Sequence, residues 1–158
     1  MGDPQRARIS VEPPLTSGRG FEGLIGIEFG ELSGDVVRSR VPVREDLRQP
    51  AGLVHGGVYA AVAESLATWG TASVVASEGK TAVGLSNQMS FLRSITDGHL
   101  TAIAIRKHRG RTTWVWEVEV YDDEGRLCAH SRVTIAVREP GMLEPPTLEP
   151  PMRKPGDA

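Results

Sequence analysis

A chain of 158 residues with 39% apolar content suits one domain built around one core. A net charge of −2 and 5% aromatic residues exclude a general electrostatic affinity for nucleic acid, so any basic site is local. The single cysteine, Cys128, excludes an internal disulfide. With an N-terminus, MGDPQRARISVEPP, that lacks an apolar signal core, it predicts a cytoplasmic protein in a reducing compartment.

In chain order, residues 1–19 are polar, carry Pro4, Pro13 and Pro14, and read as a loose arm. Phe21 to Leu24 predicts a turn of helix, after which Ile25, Ile27 and Phe29 alternate with Gly26 and Glu28 as a strand should. Ser33-Gly34-Asp35 turns the chain, and Val37, Ser39 and Val41 oppose Arg38 and Arg40 in a return strand. Pro42 and the polar run from Arg44 to Arg48 end it.

The stretch Leu53 to Ala76, LVHGGVYAAVAESLATWGTASVVA, predicts a helix that is apolar or small around nearly every face and therefore buried on most sides. Between Arg48 and Glu78 its only formal charge is Glu64. A mid-span Glu costs roughly 2.5 to 3.5 kcal/mol in a bilayer, and two leading glycines weaken a membrane span further, so that reading is rejected. His55-Gly56-Gly57 opens the helix, where unpartnered backbone N–H groups attract developing negative charge. Glu64 stands eight residues after Gly56, about 12 Å along the axis, so bringing the two to one reaction centre requires a second subunit. Thr68 falls on the same face, where its hydroxyl can hold the carboxylate or a water. Glu64 is then either a buried structural carboxylate satisfied by hydrogen bonds or a functional one.

Past Glu78-Gly79-Lys80, Val83, Leu85, Asn87, Met89 and Phe91 keep period two as a long strand, and Asp97-Gly98 reads as a hairpin turn. Leu100, Ala102 and Ala104 alternate with Thr101, Ile103 and Ile105. His108-Arg109-Gly110 turns again before the clean alternation of Trp114, Trp116, Val118 and Val120. After Asp122-Asp123-Glu124-Gly125 a last strand runs through Leu127, Ala129, Ser131, Val133, Ile135 and Val137. Residues 139–158 hold six of the eleven prolines and read as a disordered tail, leaving 20–138 as the folded domain. The order is strand, strand, helix, four strands, an α+β chain in which a curved antiparallel sheet wraps one long helix.

The run LVHGG, then Ala63-Glu64, then NQMSFLR from Asn87 to Arg93, resembles the hotdog-fold thioesterase family from about Phe21 to Arg138. Through LRQPAGLVHGGVYAAVAESLAT and GRTTWVWEVEVYDDEGRLCA the chain is most similar to the phenylacetate-pathway and Arthrobacter-type 4-hydroxybenzoyl-CoA thioesterases. The resemblance implies the hotdog fold, hydrolysis of an aromatic or arylacetyl CoA thioester without metal or cofactor, and a homodimer assembling into a homotetramer. It places Glu64 as nucleophile or general base, the Gly56 N–H as the group that polarises the carbonyl, and Gln49 and Thr68 as their polar companions. His55, Gly57, Asn87, Arg93, Arg111 and Thr112 become the substrate and CoA-binding set, Arg93 and the Arg111-Thr112 pair falling where the nucleotide lies.

Other candidates carry less. His55 more often supports its loop than acts as a base, and His99, His108 and His130 have no mutual ligand spacing, so no metal is expected. The serines lack a nucleophile elbow, Cys128 reads as a packed thiol, and Trp114 and Trp116 read as core. Arg106, Lys107, His108, Arg109 and Arg111 form the densest positive run, either a solvated turn or a phosphate contact. Two other classes remain open: a non-catalytic acyl-CoA-binding hotdog regulator, which does not need Glu64, and a hotdog hydratase or dehydratase, which pairs its carboxylate with a catalytic His.

Overall fold

The computed structural model describes residues 20–139 and the backbone of Leu15 and Thr16. The rest of the expected 1–19 arm, and the tail from 140 onward, lie outside the described residues. The elements run β1 (Leu15–Thr16), α1 (Gly20–Ile25), β2 (Glu28–Leu32), β3 (Val36–Pro42), α2 (Gly56–Val75), β4 (Thr81–Phe91), β5 (His99–Arg109), β6 (Thr113–Tyr121) and β7 (Leu127–Arg138). Short 3-10 turns occupy Glu45–Leu47 and Ala76–Glu78. All pairings are antiparallel, in the order β1-β2-β3-β5-β6-β7-β4, and the sheet curves around α2 as expected of a hotdog fold.

The inward residues of β6 and β7 make the floor of the core: Trp116, Val118, Val120, Val133 and Ile135 are all fully buried. Each such side chain contributes about 1.5–3 kcal/mol relative to exposure. Trp114 and Trp116 are both core residues, stacked 6.5 Å apart. The indole N–H of Trp116 donates to Thr71 Oγ1 at 3.0 Å, and that hydroxyl donates to the Ala67 carbonyl at 2.9 Å, so no polar atom of this buried contact is wasted. Gly70 lets α2 approach, since a Cβ there would stand 2.5 Å from Trp116 Cη2 and 2.8 Å from Val37 Cγ2.

Four expectations change. The strand expected from Ile25, β2, starts at Glu28, because the Glu22 carbonyl accepts from both Gly26 and Ile27 N–H and Gly26 takes φ +81° to turn the chain. The long helix starts at Gly56, not Leu53: the Leu53 carbonyl accepts from Gln49 N–H, Gly52 adopts φ +83°, and residues 48–54 form a closed turn. Asp97-Gly98 is a turn but not a hairpin. The chain leaves β4 at one edge of the sheet and re-enters at β5 in its middle, while β4 pairs with β7. Finally, α2 is not buried on most sides within one protomer. Val58, Val62, Leu66, Gly70 and their neighbours face the sheet, whereas Glu64 and Trp69 are exposed and Ala60, Ala61, Ser65 and Thr68 are half-buried. One sheet covers one face of a helix, and the apolar remainder is left over.

The outer edge of β4 also remains open among the described residues, with Leu85 and Phe91 each more than half exposed. Filling the helix–sheet contact tests the packing. Gly70→Ala is expected to destabilise the protein by about 1–3 kcal/mol despite alanine's better helix propensity, because the methyl enters space held by Trp116 and Val37. The readout is a lower midpoint in a urea titration with unchanged slope.

Candidate active site

The turn over 48–54 delivers Gln49 and the start of α2 to one place. His55 is the N-cap, with φ −65° and ψ 135°, and its Nδ1 accepts from the Gly57 N–H at 2.9 Å. That bond leaves the ring proton on Nε2. His55 N–H donates to the Leu47 carbonyl at 2.8 Å, so this residue shapes the loop, as the sequence reading preferred. Gly56 N–H has no acceptor among the described residues and lies at the positive end of a helix of 20 residues. A donor of this kind suits a carbonyl oxygen that is turning anionic.

Beside it opens a cleft of about 390 Å³ whose lining includes Gln49, Leu53, Gly56, Tyr59, Phe91 and Arg93. Phe91 lies against the helix start, its Cζ 3.0 Å from where a Gly56 Cβ would be, and packs edge-on to Tyr59 at 6.0 Å. The Tyr59 hydroxyl accepts from Ile95 N–H at 3.3 Å, and burial pushes its pKa up to about 12. It therefore stays protonated at neutral pH and acts as a prop, not as an acid or base. Tyr59 and Phe91 were read from the sequence only as helix and strand residues, and only their proximity to Gly56 reveals them.

Two turns further along α2, Glu64 is exposed and its carboxylate lies over Gly84 of β4. The helix runs antiparallel above β4, with Gly56 beside Phe91, Ala60 above Asn87 and Glu64 above Gly84. Asn87 fixes this alignment: its Nδ2 donates to the Ala60 carbonyl at 2.8 Å and its Oδ1 accepts from Ser131 Oγ at 2.6 Å. Both ends of its amide are engaged, so Asn87 braces helix to sheet. Thr68 does not bond Glu64. Its Oγ1 is buried without a partner among the described residues, so of the two expected roles, holding the carboxylate or holding a water, the first is not seen.

A family model described as the thioesterase superfamily matches residues 51–129, which span the helix, β4, β5 and β6. The chain belongs to the thioesterase superfamily. It is 32% identical over 134 residues to the 1,4-dihydroxy-2-naphthoyl-CoA hydrolase of Escherichia coli, covering 84% of this chain and 97% of that one. It is 34% identical over 113 residues to the proofreading thioesterase EntH of Cronobacter turicensis, covering 72% and 82%. A solved structure of a mutant thioesterase from Pseudomonas aeruginosa superposes with a TM-score of 0.72 at 32% identity, covering 76% of this chain and 86% of that one. The protein is a thioester hydrolase.

In this thioesterase the remaining predicted residues fall in two groups. Arg93 follows β4, its backbone N–H tied to the Cys128 carbonyl at 3.0 Å, and is one of the residues lining the cleft. Arg111 and Thr112 occupy the β5–β6 turn, where the Thr112 carbonyl accepts from Val137 N–H at 2.9 Å, at the end of the sheet where β4 begins. One protomer thus gathers Gln49, Gly56 and Arg93, sets Glu64 and Thr68 along the helix, and holds Arg111 and Thr112 apart from both. Most of the basic run is spent internally. Arg106 pairs with Asp35 and lies 5.0 Å from the Trp114 ring, Arg109 lies 5.1 Å from the same ring, and Lys107 pairs with Glu117 at 3.2 Å. No three His, Cys, Asp or Glu side chains converge as a metal site among the described residues. No helix among them is long and apolar enough to cross a membrane.

The capping role of His55 separates structure from chemistry. His55→Ala is expected to cost roughly 0.5–2 kcal/mol in a denaturant titration, and His55→Asn, which restores a side-chain acceptor, to recover most of it.

Proposed function

We propose that this thioesterase hydrolyses CoA thioesters of aromatic or arylacetyl acids in a site shared by two protomers. Glu64 of one protomer serves as nucleophile or general base, and the Gly56 N–H of the other polarises the carbonyl. The observation that carries this reading is the layout along β4. Glu64 and Gly56 stand about 12 Å apart on one helix, too far to act on one carbonyl, yet both lie beside a strand whose outer edge is open. Such an edge favours antiparallel pairing with a second copy. With Asn87 and Gln88 flanking the twofold axis, Gly84 of one protomer faces Phe91 of the other, and Glu64 comes beside the second Gly56. The same register carries Arg93 of one protomer toward the Lys80 end of β4 of the other, near Arg111 and Thr112. Both guanidinium groups then suit the phosphates of one CoA. By likeness to the phenylacetate-pathway and Arthrobacter-type group, two such dimers form a tetramer.

Either role for Glu64 conserves atoms. As nucleophile, a carboxylate oxygen bonds to the carbonyl carbon, the C–S bond breaks, CoA leaves and takes a proton, and water opens the resulting anhydride. As base, Glu64 takes a proton from the attacking water, and collapse of the tetrahedral adduct expels the CoA thiolate, which receives that proton. Gln49 adds a side-chain donor at the cleft, Thr68 backs the Glu64 face of α2 and can bind the attacking water only if its hydroxyl turns outward, His55 and Gly57 shape the donor turn, and Asn87 keeps the helix in place. The Escherichia coli relative named for an aryl-CoA supports the aromatic acyl class, as do Phe91 and Tyr59 on the cleft wall.

Mixing inactive variants tests the shared site. Glu64→Gln is expected to remain folded, because its carboxylate makes no hydrogen bond within the protomer, and to lose a factor of about 10² or more in kcat. Gly56→Val is expected to be inactive as well. Co-refolding the two should restore about a quarter of wild-type activity, since half of the dimers are mixed and each holds one intact site. No recovery on mixing would mean both residues act within one protomer, and full activity of Glu64→Gln would leave a binding protein or another base. Separately, Arg93→Ala and Arg111→Ala are expected to raise KM for full CoA esters at least several-fold while barely changing it for a truncated pantetheine ester, which has no nucleotide phosphates. Added salt should reproduce the effect on full CoA esters.

A further inference from the structure

We infer that Gly84 is a positioning residue for Glu64: its missing side chain forms the seat in which the carboxylate rests. This rests on the catalytic reading of Glu64 and adds a residue that neither the motifs nor the cleft single out. A Cβ built on Gly84 would stand 2.6 Å from Glu64 Oε1, 3.3 Å from Cδ and 3.5 Å from Cγ, so its three nearest neighbours all belong to that one side chain. The carboxyl end of Glu64 occupies the space that a side chain at position 84 would take.

Two neighbouring features hold the seat in place. The β4–β7 register passes from Gly84 opposite Ile135 to Ser86 opposite Thr134, which leaves Leu85 as an extra residue in a bulge. Bulges re-aim a strand locally and recur beside active sites. Asn87, next along the helix-facing side, bonds the Ala60 carbonyl and so sets the height of α2 above β4 one turn before Glu64. The helix cannot rise to make room.

Any side chain at position 84 therefore displaces the carboxylate. Ordinary contact lies near 3.5–4 Å, so a methyl pushes Oε1 away by about 1 Å. A misplacement of that size can cost about 10²-fold in rate. The cost to folding is small, since the atom displaced is the free end of a flexible side chain and Gly84 is not among the left-handed glycines. Alanine is also less costly than glycine in a strand.

The experiment is steady-state kinetics on purified, assembled Gly84→Ala and Gly84→Ser, with thermal melts, in wild-type and Glu64→Asp backgrounds. Gly84→Ala is expected to melt at or above wild type, keep KM within about twofold and lose 10- to 100-fold in kcat, because it moves a reacting group and not the CoA contacts. In Glu64→Asp, whose carboxylate oxygens end about where Glu64 Cδ now lies, 3.3 Å from the built Cβ and not 2.6 Å, the same change is expected to cost several-fold less than in wild type. Wild-type kcat in Gly84→Ala, where Glu64→Gln is inactive, would overturn the inference and leave the role of Glu64 standing. Equal losses in both backgrounds would overturn it too, by making Gly84 a general packing residue. An unfolded Gly84→Ala that regains its fold when combined with Glu64→Ala would support the same contact, and one that stays unfolded would refute it. Full activity in Glu64→Gln is a different failure, that of the catalytic reading itself.

Discussion

The seating of α2 on the sheet is the constraint on which the rest of this molecule depends. At the C-terminal half of the helix, Gly70 admits Trp116 and Val37 to distances that any side chain would forbid. The Trp116 indole is then satisfied by Thr71, which is in turn satisfied by Ala67. At the N-terminal half, Asn87 reaches up from β4 to the Ala60 carbonyl. A helix held at two points a few turns apart can neither rise nor roll. Its rotation decides that Leu66 and Val62 enter the core and that Glu64 points outward along β4.

That rotation leaves a protomer whose surfaces are incomplete in a consistent way. The sheet covers one face of an apolar helix, and the opposite side exposes Trp69 with small residues around it. The last strand of the sheet presents an open edge with exposed Leu85 and Phe91. In a lone protein an edge of 11 residues is an aggregation hazard. In the proposed pairing the same edge becomes the axis of a dimer, and the burial that protects it is the event that unites carboxylate and amide donor. Assembly and catalysis then rest on one set of backbone hydrogen bonds.

Charge follows a similar economy. Of the basic cluster at the end of β5 and the turn after it, Arg106, Lys107 and Arg109 are held by Asp35, Glu117 and the face of Trp114. Cation–π contacts and ion pairs of this kind fix the hairpin's shape. Arg111 has no ion-pair partner among the described residues, and it stands at the β5–β6 turn. A run that looks like a basic patch in one dimension is thus largely committed to contacts within the protomer.

Much of this was legible in the chain itself. Alternation in Val37-Ser39-Val41 and in Trp114 to Val120, an apolar stretch opened by His55-Gly56-Gly57, and an isolated Glu64 were enough for the order of elements from β2 onward, the sheet-wrapped helix and the candidate carboxylate. These are local properties, set by period two, period 3.6 and the rarity of a lone charge among alanines. Other features depend on residues far apart in sequence. The sequence suggested a hairpin at Asp97-Gly98, and only the sheet order shows β4 leaving β5 to pair with β7. It suggested a helix buried on most sides, and only the tertiary packing shows that one sheet covers one face. Gly84 reads as one more position of a long strand until Glu64, twenty positions earlier, is seen to rest on it. Local pattern dictates which elements form; which of their faces meet is decided by long-range contacts that no single window of residues contains.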